Sequence, residues 1–245
     1  MNAYFKMVAC TSLAVAVGAA CLSDAHAQGV ISEWNQVQAP PAPELHQVTA
    51  DPTKTALLLM DFGQNCSREP RCMADIPHIK MLLDQARSHR AFVLYSSFAG
   101  LSVISELAPQ AGEPTVLGFG DRFYNTNLDQ TLKQHGIDTI IACGTVANGV
   151  EFFTAAGATA RGYHVIVPVD CMPAGSAYAE QNVVWGLAND PEFTPPRAPR
   201  GRQAGDQAAA AARTRGAARG SGAGRPSGPL RGYATLTSVD MIHFG

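Results

Sequence analysis

The stretch whose residue types and spacing could do chemistry is Asp138–Thr154, DTIIACGTVANGVEFFT. A short apolar run, Thr139–Cys143, is broken by Gly144, and an apolar helical segment follows from Asn148. That succession of strand, tight glycine turn and helix start is the half of a βαβ unit where open α/β sheets put their sites. The free N–H groups and positive dipole end of a helix start suit an anionic or oxyanionic group. The same junction also serves as plain scaffold in any α/β chain. Cysteines offer a second chemistry. Cys143 ends the central run, and Cys171 follows Asp170 at the end of the next one, so both fall on the carboxyl edge of a parallel sheet. Strand-end cysteines are more often buried small hydrophobes than nucleophiles, and these two, on neighbouring strands, could also bridge each other. Cys66 and Cys72 flank the polar loop SREPR. In an oxidising compartment they are expected to form a short-loop disulfide; elsewhere they would be two thiols near the surface. No His lies at ligand spacing from this pair, which argues against zinc.

The elements that must position these groups alternate in type. Thr55–Met60, TALLLM, is a continuous apolar run ending in Asp61, the mark of a strand covered on both faces. A helix is expected next, with Asp75 near its cap, Pro77 in its first turn, and Ile76, Ile79, Leu83 and Ala86 on its apolar face. Strands are expected over 91–97 and 114–119, with a short helix over 101–107 between them. Gly120–Phe123 reads as a turn. Asn125 or Thr126 then caps a short helix carrying Leu128 and Leu132 and ended by Gly136. The central strand leads to a helix over 148–161, a strand over 164–169, a helix over 176–187, and a last strand over 233–244. Strands separated by helices mean a mainly parallel sheet with right-handed crossovers, an α/β fold.

Three stretches outside this alternation carry special composition. Residues 1–27 read as a secretory signal peptide: a basic Lys6, an apolar stretch to Leu22, and an Ala25-His26-Ala27 cleavage site. The mature chain is then expected to be exported, periplasmic, and free of the membrane after cleavage. Residues 28–54, with Pro40, Pro41 and Pro43, read as an extended arm packed on the domain. Residues 191–231 hold eight Arg and two acids among Ala, Gly and Pro, a composition with too little apolar surface to offset chain entropy, so disorder is expected. It fits a flexible linker, a basic arm for polyanions, or GC-rich coding sequence read out of frame; the first and last are favoured, because the flanking elements would join through a short loop. The rest of the chain carries ten Lys and Arg against eighteen Asp and Glu, an acidic body that argues against a nucleic-acid surface.

Three motifs, LLLMDFGQN, RFYNTNLDQTLKQHGIDTIIACGT and ANGVEFFTAAGATARGYHVIVPVD, resemble the isochorismatase-like cysteine hydrolase superfamily, which includes nicotinamidases and N-carbamoyl amidases. The resemblance covers Thr55–Asp190 and the last strand. It implies a three-layer α/β/α sandwich around a mainly parallel six-stranded sheet. It also implies a site made of an Asp base at the end of the first strand, a Lys, and a Cys nucleophile at a helix start. There, the helix N-terminus and a cation would lower the thiol's pKa, and backbone N–H groups would hold the oxyanion. The Asp matches Asp61, which could equally cap the next turn. Arg122 is the nearest cation to the Lys position; it can hold an anion but not shuttle a proton, and it could equally pair with Asp121 at the surface. Thr145, Val146, Asn148, Gly149 and Val150 match the pocket and oxyanion turn, and Val150 stands at the nucleophile position. An isopropyl group forms no thioester, which leaves Cys143, or less readily Cys171, as the substitute nucleophile. Some relatives bind a cation after the second strand, but Ser96–Gly100 offers no imidazole or carboxylate. The G-x-G of GFGDRF lacks a dinucleotide-site context. No metal or cofactor is therefore expected. The implied activity is hydrolysis of an amide, carbamoyl or enol-ether bond in a small molecule, the last of which can proceed without cysteine. The alternative is an inactive small-molecule-binding protein. Self-association into a homo-oligomer is implied by the resemblance alone.

Overall fold

The computed structural model describes residues 29–98, 101–194 and 232–245. The signal-peptide reading and residues 195–231 lie outside them. The chain divides into two units, up to Pro40 and from Pro41. In the first, a single helical turn, α1 (Val30–Glu33), has all its residues exposed.

The second unit carries the site. Its centre is β2 (Thr55–Met60), buried at all six positions. Around it stand β3 (Phe92–Ser97), β4 (Thr115–Leu117), β5 (Thr139–Gly144), β6 (His164–Pro168) and β7 (Tyr233–Thr237). They form one six-stranded sheet in the order β4-β3-β2-β5-β6-β7, and every pairing is parallel. The chain therefore leaves β2 in one direction and returns to its other side at β5. That reversal is the topological switch point, where the crossover loops diverge and leave a crevice at the carboxyl ends of β2 and β5.

Three layers follow from how the strands divide their side chains. Leu57 and Leu59 of β2 pack with Ile76, Ile79, Leu82, Leu83 and Ala86 of α2 (Pro70–Ser88). Ala56, Leu58 and Met60 pack on the opposite face with α3 (Leu128–Gln134), α4 (Phe152–Ala160) and α5 (Ala177–Asn189). Successive strand residues point to opposite faces, so one apolar run feeds both cores.

Several boundaries differ from the sequence reading, each for a local reason. Helix α2 starts at Pro70, not near Asp75; a proline at the first helical position sacrifices no hydrogen bond. Pro77 sits inside the helix on its exposed side, where water can serve the carbonyl it leaves unpaired. The 101–107 helix is reduced to a 3₁₀ turn at Ser105–Leu107, and the third strand to Thr115–Leu117. The last run splits. Val239 N–H donates to Asp170 Oδ1 at 2.9 Å, a 3₁₀ turn forms over Val239–Met241, and β8 (Ile242–Phe244) pairs instead with β1 (Val48–Ala50) in a separate two-stranded sheet. The arm expected over 28–54 thus holds both α1 and β1. Residues 191–194 belong to the folded body: Phe193 is buried against Phe152, and its carbonyl accepts from Ala234 N–H at 2.7 Å.

Two disulfides clasp the carboxyl edge. Cys66 in the turn after β2 is bonded to Cys72 in the first turn of α2, and Cys143 of β5 to Cys171 after β6, with Cα separations of 5.3 and 5.0 Å. A bridge limits the freedom of the unfolded chain and typically stabilises by about 2–4 kcal/mol. Cys143→Ser is expected to lower the urea-unfolding free energy by that amount under non-reducing conditions. Cys143→Ser/Cys171→Ser together should lose little more, because the first change already breaks the bond.

Candidate active site

Asp61 follows directly on β2 with a left-handed backbone, φ 60°, which aspartate tolerates better than most residues. The bend carries its carboxylate across the end of β3. Oδ1 accepts from Phe98 N–H at 2.8 Å, and Oδ2 accepts from Arg122 Nη2. Burial pushes the Asp61 carboxyl up; the Arg122 guanidinium and the Phe98 N–H oppose that shift without cancelling it. Its side chain stays 18% exposed, while that of Arg122 is only 1% exposed.

Arg122 comes from the loop between β4 and α3. Its Nη1 donates to Gly118 O, its backbone N–H donates to Thr154 Oγ1 at 3.1 Å, and Thr126 Oγ1 donates to its carbonyl. This loop lies hard against α4. A Cβ on Gly157 would sit 2.4 Å from Asp121 Oδ1, so only glycine there admits the approach. The surface pair of Arg122 with Asp121 is not formed; Asp121 accepts from Phe123 N–H at 2.9 Å and faces Arg161 Nη1 at 3.9 Å. The structure therefore brings Asp61 and Arg122 together as a buried, charge-assisted pair.

The turn after β5 departs from expectation. Residues Ala147–Glu151 form a π-type turn, and α4 begins only at Phe152. Gly144 N–H donates to Cys171 O at 3.1 Å, Thr145 N–H to Met60 O at 3.1 Å, Ala147 N–H to Pro173 O at 3.0 Å and Gly149 N–H to Val146 O at 3.0 Å. Of the residues read as an oxyanion turn, Thr145 and Gly149 thus have their N–H groups engaged by backbone carbonyls. Val146 is 45% exposed, Asn148 is exposed, and Val150 is buried. The reading of Cys143 as a substitute nucleophile is corrected. Its sulfur is bonded to Cys171, and a disulfide carries no thiolate. Among the described residues every cysteine is in a disulfide. Ser96 and Ser97 close the end of β3 and are buried.

Sequence reasoning missed Glu151. It is fully buried, and neither carboxyl oxygen has a hydrogen-bond partner. Burial pushes its carboxyl up to about 8. Read from the sequence, ANGVEFF gives no sign of which way Glu151 faces; in the structure it ends the Ala147–Glu151 turn and is buried.

A family model for the isochorismatase domain matches residues 55–196. The uncharacterized isochorismatase family protein YwoC of Bacillus subtilis is 29% identical over 156 residues, 52% of this chain and 82% of its own. Among solved structures, a cysteine hydrolase from Pseudomonas syringae pv. phaseolicola aligns with a TM-score of 0.54 at 25% identity, covering 60% of this chain and 91% of its own. An isochorismatase-like hydrolase from Alkaliphilus metalliredigens aligns at 0.52 and 25% identity, covering 55% and 90%.

Glu151 makes a prediction about stability. Its folded pKa of about 8 lies above the ordinary 4.5, so the folded state holds the proton more tightly than the unfolded chain. Stability is then greatest below the ordinary value, falls as pH rises through the interval, and levels off above about 8. Glu151→Gln is expected to flatten that dependence. At alkaline pH it should unfold several kcal/mol later than wild type, at about 1.4 kcal/mol per pK unit. Parallel pH-stability curves for the two proteins would refute the burial of an unpartnered carboxyl.

Proposed function

Because the chain belongs to the isochorismatase family, we propose that it is an exported hydrolase of a small-molecule amide, carbamoyl or enol-ether bond that works without a cysteine nucleophile. The observation that carries this reading is the chemistry at the carboxyl edge. Every described cysteine is in a disulfide, while Asp61 remains, paired with Arg122 and reached by solvent.

In this mechanism Asp61 is the general base. A carboxylate whose pKa is raised by burial is a stronger base than a free one. It takes a proton from water as the water oxygen bonds to the ligand's electrophilic carbon, and gives that proton to the leaving nitrogen or oxygen as the scissile bond breaks, which regenerates the carboxylate. Arg122 holds Asp61 in place and offers positive charge to the developing anion, but it does not exchange protons. Export is supported by the two disulfides, which persist in oxidising compartments, together with the signal-like N-terminus. A second reading, an inactive binding protein, is favoured by one feature: the N–H groups of Thr145 and Gly149 are already engaged within the turn.

The test is turnover by the purified full chain across amide, carbamoyl and enol-ether panels. Asp61→Asn keeps an acceptor for Arg122 and is expected to lower kcat by about 10²-fold or more, the usual contribution of a general base. Cys143→Ser should leave turnover per folded molecule unchanged. Equal loss in Cys143→Ser with the fold intact would overturn the cysteine-free mechanism. Saturable binding without turnover on any panel would move the protein to the binding class.

A further inference from the structure

The chain between β6 and α5, residues 170–174, touches the candidate site on one side. Cys171 is bonded to Cys143, Cys171 O accepts from Gly144 N–H at 3.1 Å, and Pro173 O accepts from Ala147 N–H at 3.0 Å. These contacts seat the turn after β5. The same segment also meets α2. Asp170 Oδ1 accepts from Val239 N–H at 2.9 Å, and its Oδ2 lies 3.5 Å from His78 Nδ1 of α2. Ala174 N–H donates to Glu180 Oε1 at 2.9 Å, and that oxygen also accepts from Arg71 Nε of α2 at 2.7 Å. Arg71 and His78 stand four residues before and three after Asp75, so all three share one side of the helix.

Asp75 is half-buried, and among the described residues it makes no hydrogen bond or ion pair. Burial, then the charge of Glu180, then that of Asp170 push its carboxyl up from 3.8 to about 6, against a weaker pull from His78 and Arg71. The other charged groups around α2 are engaged or point to water. Lys80 pairs with Asp84, Glu113 with Arg87, Glu106 accepts from Ser105 Oγ, and Asp240 accepts from Ser238 Oγ. Arg68 and Glu69, before the helix, are exposed.

We propose that residues 170–174 form a pH-sensitive latch: with Asp75 protonated the segment closes on α2 and braces the turn after β5, and ionisation of Asp75 beside Asp170 and Glu180 loosens it. With Asp75 neutral, Arg71 and protonated His78 balance the carboxylates of Asp170 and Glu180. Ionised Asp75 adds a third carboxylate with no cation of its own, and the His78 contact is an ion pair only while the ring holds its proton. Opening the segment takes Asp75 away from both carboxylates and from its cover, so the open form releases the proton more readily. Closure is then firmest in acid, weakens as pH rises from 3.8 toward 6, and levels off above that. The latch does not depend on Asp61 hydrolysing anything, and its test needs no turnover.

The experiment is amide hydrogen exchange by NMR on the full, disulfide-bonded chain at about pH 5 and about pH 7.5, expressed as protection factors so that the intrinsic base catalysis of exchange is removed. The reporters are the N–H groups of Ala147, Ala174 and Val239. The amides of β2, which open only with the whole fold, are the reference, so that any global loss from Glu151 cancels. Relative to β2, reporter protection is expected to fall about tenfold between the two pH values, the part of the rise from 3.8 to about 6 that lies above the lower one. Asp75→Asn keeps the shape without the charge and should flatten that fall. In the wild type the Asp75 carboxyl carbon should titrate with a midpoint near 6. Constant reporter protection, a fall shared equally by β2, a fall undiminished in Asp75→Asn, or an Asp75 midpoint at the ordinary 3.8 would each overturn the latch.

Discussion

The buried pair of Asp61 and Arg122 is the interaction on which the carboxyl edge depends. Breaking such a pair by removing one partner typically costs about 3–5 kcal/mol, because the other charge stays buried. Here the pair also ties three chain segments together. Asp61 binds the chain after β3 through Phe98 N–H, and Arg122 binds the β4–α3 loop through Gly118 O and α4 through Thr154. A carboxylate that accepts from Phe98 N–H and from the guanidinium, and a guanidinium that donates also to Gly118 O, join the loops of the crevice. That rigidity is what a site needs if its groups are to be organised before the ligand arrives.

Close approach makes the pair possible. Gly157 lets the loop carrying Asp121 and Arg122 lie on α4, and Gly144 admits the Glu151 carboxyl to the strand ends. Covalent bonds fix the neighbouring pieces: one disulfide holds the turn after Asp61 to α2, the other holds the end of β5 to the chain after β6. The cost of this arrangement is visible in the polar atoms it leaves buried without partners. Among the described residues Ser96, Arg122 and Glu151 contribute most of them.

Local pattern carried much of the architecture. TALLLM and TIIACG are continuous apolar runs because their strands are covered on both sides, and both became central strands. The parallel character of the sheet followed from the alternation of elements, and its six strands from the resemblance of the three motifs, whereas the strand order came from the structure. Boundaries were less legible. Pro70 and Pro77 both suit a helix start by residue type, and the structure starts the helix at Pro70. Alternation over 233–244 looked like one strand, but the contact of Val239 with Asp170, far away in the chain, divided it.

The sequence by itself determined the α/β class, the central strands, the carboxylate at the end of β2 and the absence of a cysteine where Val150 stands. These depend on residue type and short-range order, which the chain states directly. Tertiary structure alone decided that Cys143 is bonded to Cys171, that Arg122 meets Asp61 and not Asp121, and that Glu151 turns inward without a partner. Each of those depends on which distant segments touch and on whether water reaches a side chain, and neither is set by any local pattern of residues.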